Sequence, residues 1–353
     1  MAAAAPTFSV PLPDGIPTVA PAPVVGPSPW LGVVSNFKTG EDHGQSLKFS
    51  PFDGNRLACS TGGDYGLTGP GRVYILDRDM NSGEWKQQLV ADYRDNLLDI
   101  CWCESDPNVL TTAAGDGFVQ VWNLSSKFPK VPVHEFKGHK VEMSSVEWSP
   151  SKFGNILLAA CWDGQVCCYD MTGPWPLLKM VASEVIVYQA AWSPHTQYTF
   201  ACVSQEGVLQ VWDMQANNAK AQIFLPVSDS ELLAIDWAKY ADNVLATAGS
   251  DCIVKGWDLR NYSQPLFTIM DHGHAVRRVK FSPYHPTVFA SVSYDMSLRI
   301  FDYHISDENL EIIADHTEFV YGVDWNLHYR NEIATCAFDN TVKIRTPKCL
   351  VGT

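Results

Sequence analysis

The stretch Val146-Glu147-Trp148-Ser149-Pro150 carries the pattern that decides the fold: an apolar residue, a spacer and an aromatic residue, often followed by Ser-Pro. The same strand-like pattern recurs along the whole chain. Successive aromatic anchors are separated by 53, 46, 44, 45, 44 and 44 residues, which is the period of a four-stranded blade rather than of a helical repeat. The seven anchors are Phe49, Trp102, Trp148, Trp192, Trp237, Phe281 and Trp325.

A second landmark in each copy ends a later strand with an aromatic or aliphatic residue and a polar one, as in Trp212-Asp213 and Trp257-Asp258. Between the two landmarks lies a tight turn built on an acidic residue, such as Gly115-Asp116-Gly117. Seven copies of this unit predict an all-β fold, a seven-bladed β-propeller. The pattern over roughly residues 30–353 resembles the WD-repeat (WD40) family.

The N-terminal segment differs from the repeats in composition. Its first 37 residues hold eight prolines and a single charge, Asp14, so neither a helix nor a ladder strand can run through them. We predict a flexible, disordered Ala/Pro-rich arm over residues 1–29 and one propeller domain over residues 30–353. The stretch Trp30 to Phe37 is expected to complete blade seven and to close the ring.

Composition limits the classes of function. A net charge of -14 and a pI near 5.0 argue against a nucleic-acid partner and favour a basic one. The ten cysteines lie in apolar strand-like runs without paired metal-ligand spacings, so we predict no disulfide framework and no metal site. No apolar run is long enough to span a bilayer, which predicts a cytosolic protein without direct membrane insertion.

Histidines and aspartates in three blades invite an acid-base interpretation. His139, His274 and His316 each precede an aspartate of the same blade, namely Asp163, Asp295 and Asp339. In WD repeats such pairs usually belong to a buried hydrogen-bond network, and no nucleophile elbow or phosphate-binding loop is present. We therefore predict no catalytic residue, no enzyme activity and no cofactor.

Binding residues are expected where loops emerge around the central channel. We select these binding residues from three positions in each blade: six and four residues before the anchor aromatic, and one residue before the acidic residue of the turn. Acidic and apolar side chains alternate there, which suits a helix with a basic and an apolar stripe, although scattered surface groups remain the alternative interpretation. The acidic candidates are Asp95, Glu142, Glu231 and Glu318, and the apolar ones are Trp162, Tyr188, Leu233, Tyr294, Phe319, Tyr321 and Phe338.

Several stretches resemble one branch of the WD-repeat class, the peroxins that serve as receptors for the type 2 peroxisomal targeting signal. The resemblance runs from about Leu47 to Ile344, and its most specific segments are Arg277-Arg278-Val279-Lys280-Phe281-Ser282-Pro283 and His316-Thr317-Glu318-Phe319. Members of this family bind an N-terminal signal of the form (Arg/Lys)-(Leu/Val/Ile)-x5-(His/Gln)-(Leu/Ala). The long Ala/Pro arm departs from the family pattern.

The resemblance implies a receptor that binds cargo in the cytosol and shuttles to the peroxisome, or to the glycosome. It implies a peroxin co-receptor and a peroxisomal docking complex as further partners. On this hypothesis the four acidic candidates pair with the Arg/Lys and His of the signal, and the apolar candidates receive its aliphatic residues. Glu142 is the first choice, because we expect it to point over the channel beside Trp162.

Two other functions stay open at this stage. Trp257-Asp258-Leu259-Arg260 matches an element by which some WD proteins dock onto cullin-type ubiquitin ligase scaffolds, which would make the chain a substrate adaptor. The acidic charge balance also allows a scaffold that binds basic histone tails. Loss of ligase co-purification in Arg260→Ala, or salt-dependent retention on histone tails alone, would distinguish these functions from transport.

Overall fold

The computed structural model of the chain describes residues 26–27, 30, 32–66, 69–137, 139, 141–150, 155–171, 173, 176–215, 221–305 and 308–351. Within these residues the chain forms seven four-stranded antiparallel sheets, and the innermost strand of each sheet contacts that of the next in a closed ring. This confirms the predicted seven-bladed β-propeller. Apart from Gly26 and Pro27, the arm predicted over residues 1–29 lies outside the described residues.

The blades are numbered along the chain, and their strands run from the channel outward. Blade one contains His43–Phe49, Arg56–Gly62, Gly71–Arg78 and Trp85–Tyr93. Blade two contains Leu97–Trp102, Val109–Ala114, Phe118–Asn123 and His134–Lys137. Blade three contains Met143–Trp148, Ile156–Cys161, Gln165–Asp170 and Pro176–Val181. Blade four contains Val187–Trp192, Thr199–Ser204, Val208–Asp213 and Ile223–Pro226.

The remaining blades repeat this order, with one change at the end of the chain. Blade five contains Leu232–Trp237, Val244–Gly249, Val254–Asp258 and Phe267–Ile269. Blade six contains Val276–Phe281, Val288–Ser293, Leu298–Asp302 and Asn309–Ile313. Blade seven contains Val320–Trp325, Ile333–Ala337, Thr341–Arg345 and, from the N-terminal region, Ser35–Lys38. Gly26–Pro27 pairs with Tyr329–Arg330, and short 3-10 helices span Asp64–Gly66 and Lys348–Leu350.

The hydrophobic core lies between the blades. Each of the seven apolar clusters joins residues of two neighbouring blades, because strands packed between two sheets bury both of their faces. At the junction of blades two and three, for example, the rings of Phe136 and Tyr169 have centroids 4.9 Å apart. Inter-blade packing is therefore the main source of stability.

The aromatic anchors have a second role besides packing. In several blades the indole N–H of the anchor donates to a backbone carbonyl of the preceding blade: Trp102 to Lys48 at 3.0 Å and Trp325 to Lys280 at 3.0 Å. Such a bond satisfies a polar group that burial would otherwise leave unpaired. This cross-blade bond gives a physical reason for Trp at a position where Phe alone would also fill the space.

The innermost strands border the channel, so one edge of each strand has backbone N–H groups without a strand partner. Acidic side chains of the neighbouring blade accept several of these hydrogen bonds. Asp324 accepts from the N–H of Phe49 at 3.0 Å, and Asp236 accepts from that of Phe281 at 2.8 Å. These carboxylates therefore hold adjacent blades together.

Blade seven is assembled from both ends of the propeller. Ser35–Lys38 pairs antiparallel with Thr341–Arg345, so the outer strand begins at Ser35 and not at Trp30. A buried ion pair between Arg78 of blade one and Glu332 of blade seven, at 2.6 Å, lies at the same junction. All ten cysteines are free thiols. Among the described residues, no helix has the length and apolarity needed to cross a membrane.

Candidate functional site

The backbone of each innermost strand shifts register by one residue near its start. The shift falls four residues before the anchor in every blade, and the extra residue of such a bulge has no partner in the ladder. A bulge changes the direction of the side chain, so this position lies at the channel end of each blade, where Gln45, Ser144 and Leu233 are nevertheless buried. The bulged residues are Gln45, Leu98, Ser144, Tyr188, Leu233, Arg277 and Tyr321.

A repeated backbone hydrogen bond places the other predicted positions side by side. The N–H of the residue before the turn acid donates to the carbonyl of the residue six before the anchor: Trp162 to Glu142 at 3.0 Å and Phe338 to Phe319 at 3.0 Å. Blades two, four, five and six form the same bond. We call the surface that these turns and bulges form the upper face, and the opposite end of the channel the lower face.

Four aromatic side chains of blades six and seven form one cluster on the upper face. The rings of Tyr321 and Phe338 are stacked with centroids 4.2 Å apart, and Tyr294 lies 4.9 Å from Phe319 and 5.3 Å from Tyr321. The Tyr294 hydroxyl donates to that of Tyr321 at 3.1 Å. The structure thus brings together four of the seven predicted apolar residues in one aromatic cluster.

Charged groups border this cluster. The Arg277 guanidinium carbon lies 5.0 Å from the centre of the Tyr321 ring, a cation–π contact. Burial and the neighbouring Glu231 carboxylate raise the pKa of Tyr188 to about 12, and the charge of Arg277 acts in the opposite direction. Gln205 donates to Glu231 at 3.0 Å. Tyr188, Glu231 and Arg277 therefore lie close enough to interact, although they belong to three different blades.

The other predicted carboxylates stand on separate blades. Asp95, Glu142 and Glu318 are each half-buried at the upper face, and Asp95 accepts from the N–H of Asn96 at 2.8 Å. None of the three forms an ion pair with any residue that the structure describes. A carboxylate without a cation in its own protein is available to a basic ligand.

The predicted apolar residues differ in how much surface they present. Trp162 and Phe319 are 40% and 38% exposed, whereas Leu233 and Phe338 are only 6% and 5% exposed. We expected all of them to contact a ligand, but at this exposure Phe338 mainly supports the stacked Tyr321. The part that each residue plays in binding stays a prediction.

His139 and His316 are held inside their blades, as expected for a structural network. His316 is hydrogen-bonded to Asp339 and to Thr335, each at 2.9 Å. His139 bonds to Asp163 at 2.6 Å, and burial lowers its pKa although Asp163 opposes the shift. The ligand atoms of His139, Asp163 and Cys161 lie within 4.8 Å of one another, but both ring nitrogens of His139 already have protein partners.

The prediction for blade six was wrong. His272, and not His274, bonds to Asp295 at 2.8 Å and to Ser291 at 2.7 Å, while His274 is exposed. The histidine precedes its aspartate by 23 residues in blades six and seven, whereas His274 is two residues too close to Asp295. This spacing is the signal that would have identified His272.

One residue of blade one also belongs to the upper face, and sequence reasoning missed it. The His43 ring lies 5.2 Å from that of Phe338, and its Nδ1 is 2.7 Å from the Phe338 carbonyl oxygen. His43 stands six residues before the anchor Phe49, so the rule used for the other blades identifies it. The aromatic cluster therefore continues from blade seven into blade one.

Comparisons with known proteins agree with this geometry. A family model described as an EIPR1 beta-propeller matches residues 178–301, and a WD domain, G-beta repeat model matches residues 130–170 and 308–345. The human peroxisomal targeting signal 2 receptor is 38% identical over 90% of this chain and 97% of its own. The mouse receptor of the same name is 36% identical over 87% and 95%. This chain belongs to the peroxisomal targeting signal 2 receptor family. A plant relative, peroxisome biogenesis protein 7 of Arabidopsis thaliana, is 35% identical over 86% of this chain and 94% of its own.

The ligase-docking element of this member of the receptor family is occupied by an internal contact. Arg260 is exposed on the lower face, and its guanidinium forms a two-point ion pair with Asp258 at 2.6 to 3.2 Å. Both residues belong to one loop, so the pair stabilises the loop itself. Arg260 is therefore explained without a ligase scaffold.

Proposed function

We propose that this chain is an import receptor that binds the N-terminal type 2 peroxisomal targeting signal of matrix proteins as an amphipathic helix on the upper face. The observation that carries the proposal is the combination of an aromatic cluster with carboxylates that have no ion-pair partner among the described residues, on a chain of this receptor family. Relatives that share more than a third of its residues over most of both chains are named receptors for this signal.

The geometry of a helix explains why the receptor needs both carboxylates and apolar side chains. In a signal with a basic residue at its first position and His or Gln at its eighth, these two side chains are seven residues apart. They lie on one side of a helix, about 10 Å apart, and the aliphatic residues that follow each of them form an adjacent stripe. A complementary surface needs separated carboxylates beside an apolar cluster, as on the upper face.

We assign the basic stripe to Asp95, Glu142, Glu231 and Glu318, and the aliphatic stripe to the exposed aromatic residues. Glu142 stands beside Trp162, with which it shares a backbone hydrogen bond, so one blade offers a carboxylate and an indole together. Leu233 and Phe338 support this surface from within. The receptor binds cargo in the cytosol and delivers it to peroxisomes together with a co-receptor and a docking complex.

A pull-down with an immobilised signal peptide tests the proposal. The full chain is retained by the peptide, and retention is lost when the Arg and the Leu of the signal are both replaced by Ser. A scrambled peptide of equal charge serves as the control for nonspecific attraction to an acidic protein. Equal retention by the intact and the substituted signal would show that the chain is not a receptor for it.

A further inference from the structure

The connection between the third and fourth strands of blade two has an unusual surface. We call residues 124–133, between Phe118–Asn123 and His134–Lys137, the blade-two loop. Three of its apolar side chains face solvent: Phe128 is 66% exposed, Val131 58% and Val133 52%. Since three exposed apolar side chains fall within six residues, they form a patch and are not isolated surface residues.

Hydrogen bonds and prolines give the blade-two loop a fixed shape. The Val131 N–H donates to the Phe128 carbonyl at 3.1 Å, which closes a turn with Pro129 at its second position. A bond from the Val133 N–H to the Val121 carbonyl, at 2.8 Å, ties the end of the loop to the third strand. The apolar side chains are thus held out on a turn whose backbone entropy is already lost.

The charge of the blade-two loop is opposite to that of the chain. Residues 124–133 contain Lys127 and Lys130 and no acidic residue, within a chain of net charge -14. Both lysines are exposed, and the Lys127 ammonium lies 5.5 Å from the centre of the Phe128 ring. A ligand of this loop must therefore offer negative charge next to an apolar phase.

We propose that the blade-two loop is a peripheral contact with an anionic bilayer. Phe128 and Val131 would lie at the boundary between head groups and acyl chains, while Lys127 and Lys130 pair with lipid phosphates. A projecting turn whose apolar side chains are more than half exposed suits a planar surface. A peptide groove resembles the upper face instead, where residues such as Leu233 are 6% exposed.

The position of the loop keeps the two surfaces apart. Connections between antiparallel strands alternate between the two ends of a blade, so a third-to-fourth connection lies on the lower face when the second-to-third turn lies on the upper face. Membrane contact would leave the upper face open to solvent. This contact does not rest on the proposed cargo, and it requires no membrane-spanning segment.

Sedimentation of the full chain with vesicles tests the contact at low salt. We expect binding to phosphatidylcholine vesicles that contain phosphatidylserine, weaker binding to phosphatidylcholine alone, and release by salt. Replacing Lys127 and Lys130 together by Ser should lower partitioning about twenty-five-fold, since each lysine near such a surface contributes about fivefold. Phe128→Ser should also lower it, because the ring no longer enters the interface.

Phe224→Ser is the matched control, because this phenylalanine is 61% exposed but lies on the outer strand Ile223–Pro226 of blade four. It should partition like the unchanged chain, and circular dichroism melting should show that all variants fold. Equal binding to both kinds of vesicle would overturn the proposal. The proposal would also be overturned if the double lysine variant partitioned like the unchanged chain, or if the Phe224 variant lost as much partitioning as the Phe128 variant.

Discussion

The upper face has two halves that are built in different ways. In the aromatic half, on blades six and seven, Tyr294, Tyr321 and Phe338 stack on one another, so their rings are held in place by contacts within the chain. In the acidic half, on blades two and three, Asp95 and Glu142 stand on separate blades without ion-pair partners among the described residues. Under the proposed function, the difference assigns affinity to the aromatic half, whose rings hold one another in place, and selection for a basic ligand to the acidic half.

Removing one carboxylate from the acidic half should produce the largest effect. We expect Glu142→Ala to weaken binding of a type 2 signal peptide by about 1.5 to 3 kcal/mol, or about tenfold to a hundredfold, because a charge-assisted contact is lost. Titration by fluorescence anisotropy measures this change. Glu84→Ala is the control, since Glu84 is exposed in the turn before the outer strand of blade one. An unchanged affinity in the Glu142 variant would remove this residue from the site.

Acid should disturb the aromatic half through Asp339. Burial opposes the shift, but hydrogen bonds from His316 and Thr341 lower the pKa of Asp339 to about 2. Because this value lies below that of an unfolded aspartate, the stabilisation is complete above about pH 4 and is lost as the pH falls through 2. The loss should approach about 2 kcal/mol and should first release the Thr317 N–H, which donates to Asp339 at 3.1 Å.

Amide hydrogen exchange between pH 4 and pH 2 measures this release. The Thr317 amide should lose protection earlier than the amides of the inner strand Val187–Trp192, which lies in the other half of the ring. Asp339→Asn should show reduced protection already at pH 5, with little further change on acidification. If the Thr317 amide kept the same protection at all these pH values, Asp339 would not stabilise this part of blade seven.

Much of the upper face could be predicted because its positions are counted locally. The bulge falls four residues before the anchor in every blade, so counting back from Trp192 or Trp325 identifies Tyr188 or Tyr321 without knowledge of the fold. This counting rule holds in every blade because each blade repeats the same turn geometry. His43 follows from the same rule.

Contacts across the ring could not be predicted in this way. The buried pair of Arg278 with Asp99, at 2.8 Å, joins residues 179 positions apart, and Lys280 reaches Asp236 from 44 positions away. The first pair joins blades two and six across the channel, the second joins the neighbouring blades five and six, and both depend on which charges enter the channel. Neither is visible in a single repeat, so the sequence alone could not distinguish these buried charges from binding residues.

A smaller effect is expected in the aromatic half. Phe319→Ala should weaken binding of the signal peptide by about 1 kcal/mol, or about fivefold, because the ring is only partly exposed before binding and loses only that additional burial. Titration at several temperatures should also show a less negative heat capacity change. Phe224→Ala, on the outer strand of blade four, is the control. If Phe319→Ala lowered the affinity as much as Glu142→Ala does, the two halves would not differ in their contributions to binding.

Ionic strength should affect binding through the acidic half more than through the aromatic half, and this is the smallest change in affinity that we predict. Carboxylates at the upper face are half-buried, so screening should weaken binding of the unchanged chain by only about 0.5 kcal/mol, or about twofold, when the ionic strength rises from about 0.1 M to 1 M. The Glu142→Ala variant should respond less, because one of the screened contacts is already missing. The Phe319→Ala variant should respond as the unchanged chain does, since its missing contact is apolar. If both variants kept the same salt dependence, Glu142 would not contribute its charge to binding, and the basic residues of the signal would have to pair with Asp95, Glu231 or Glu318 instead.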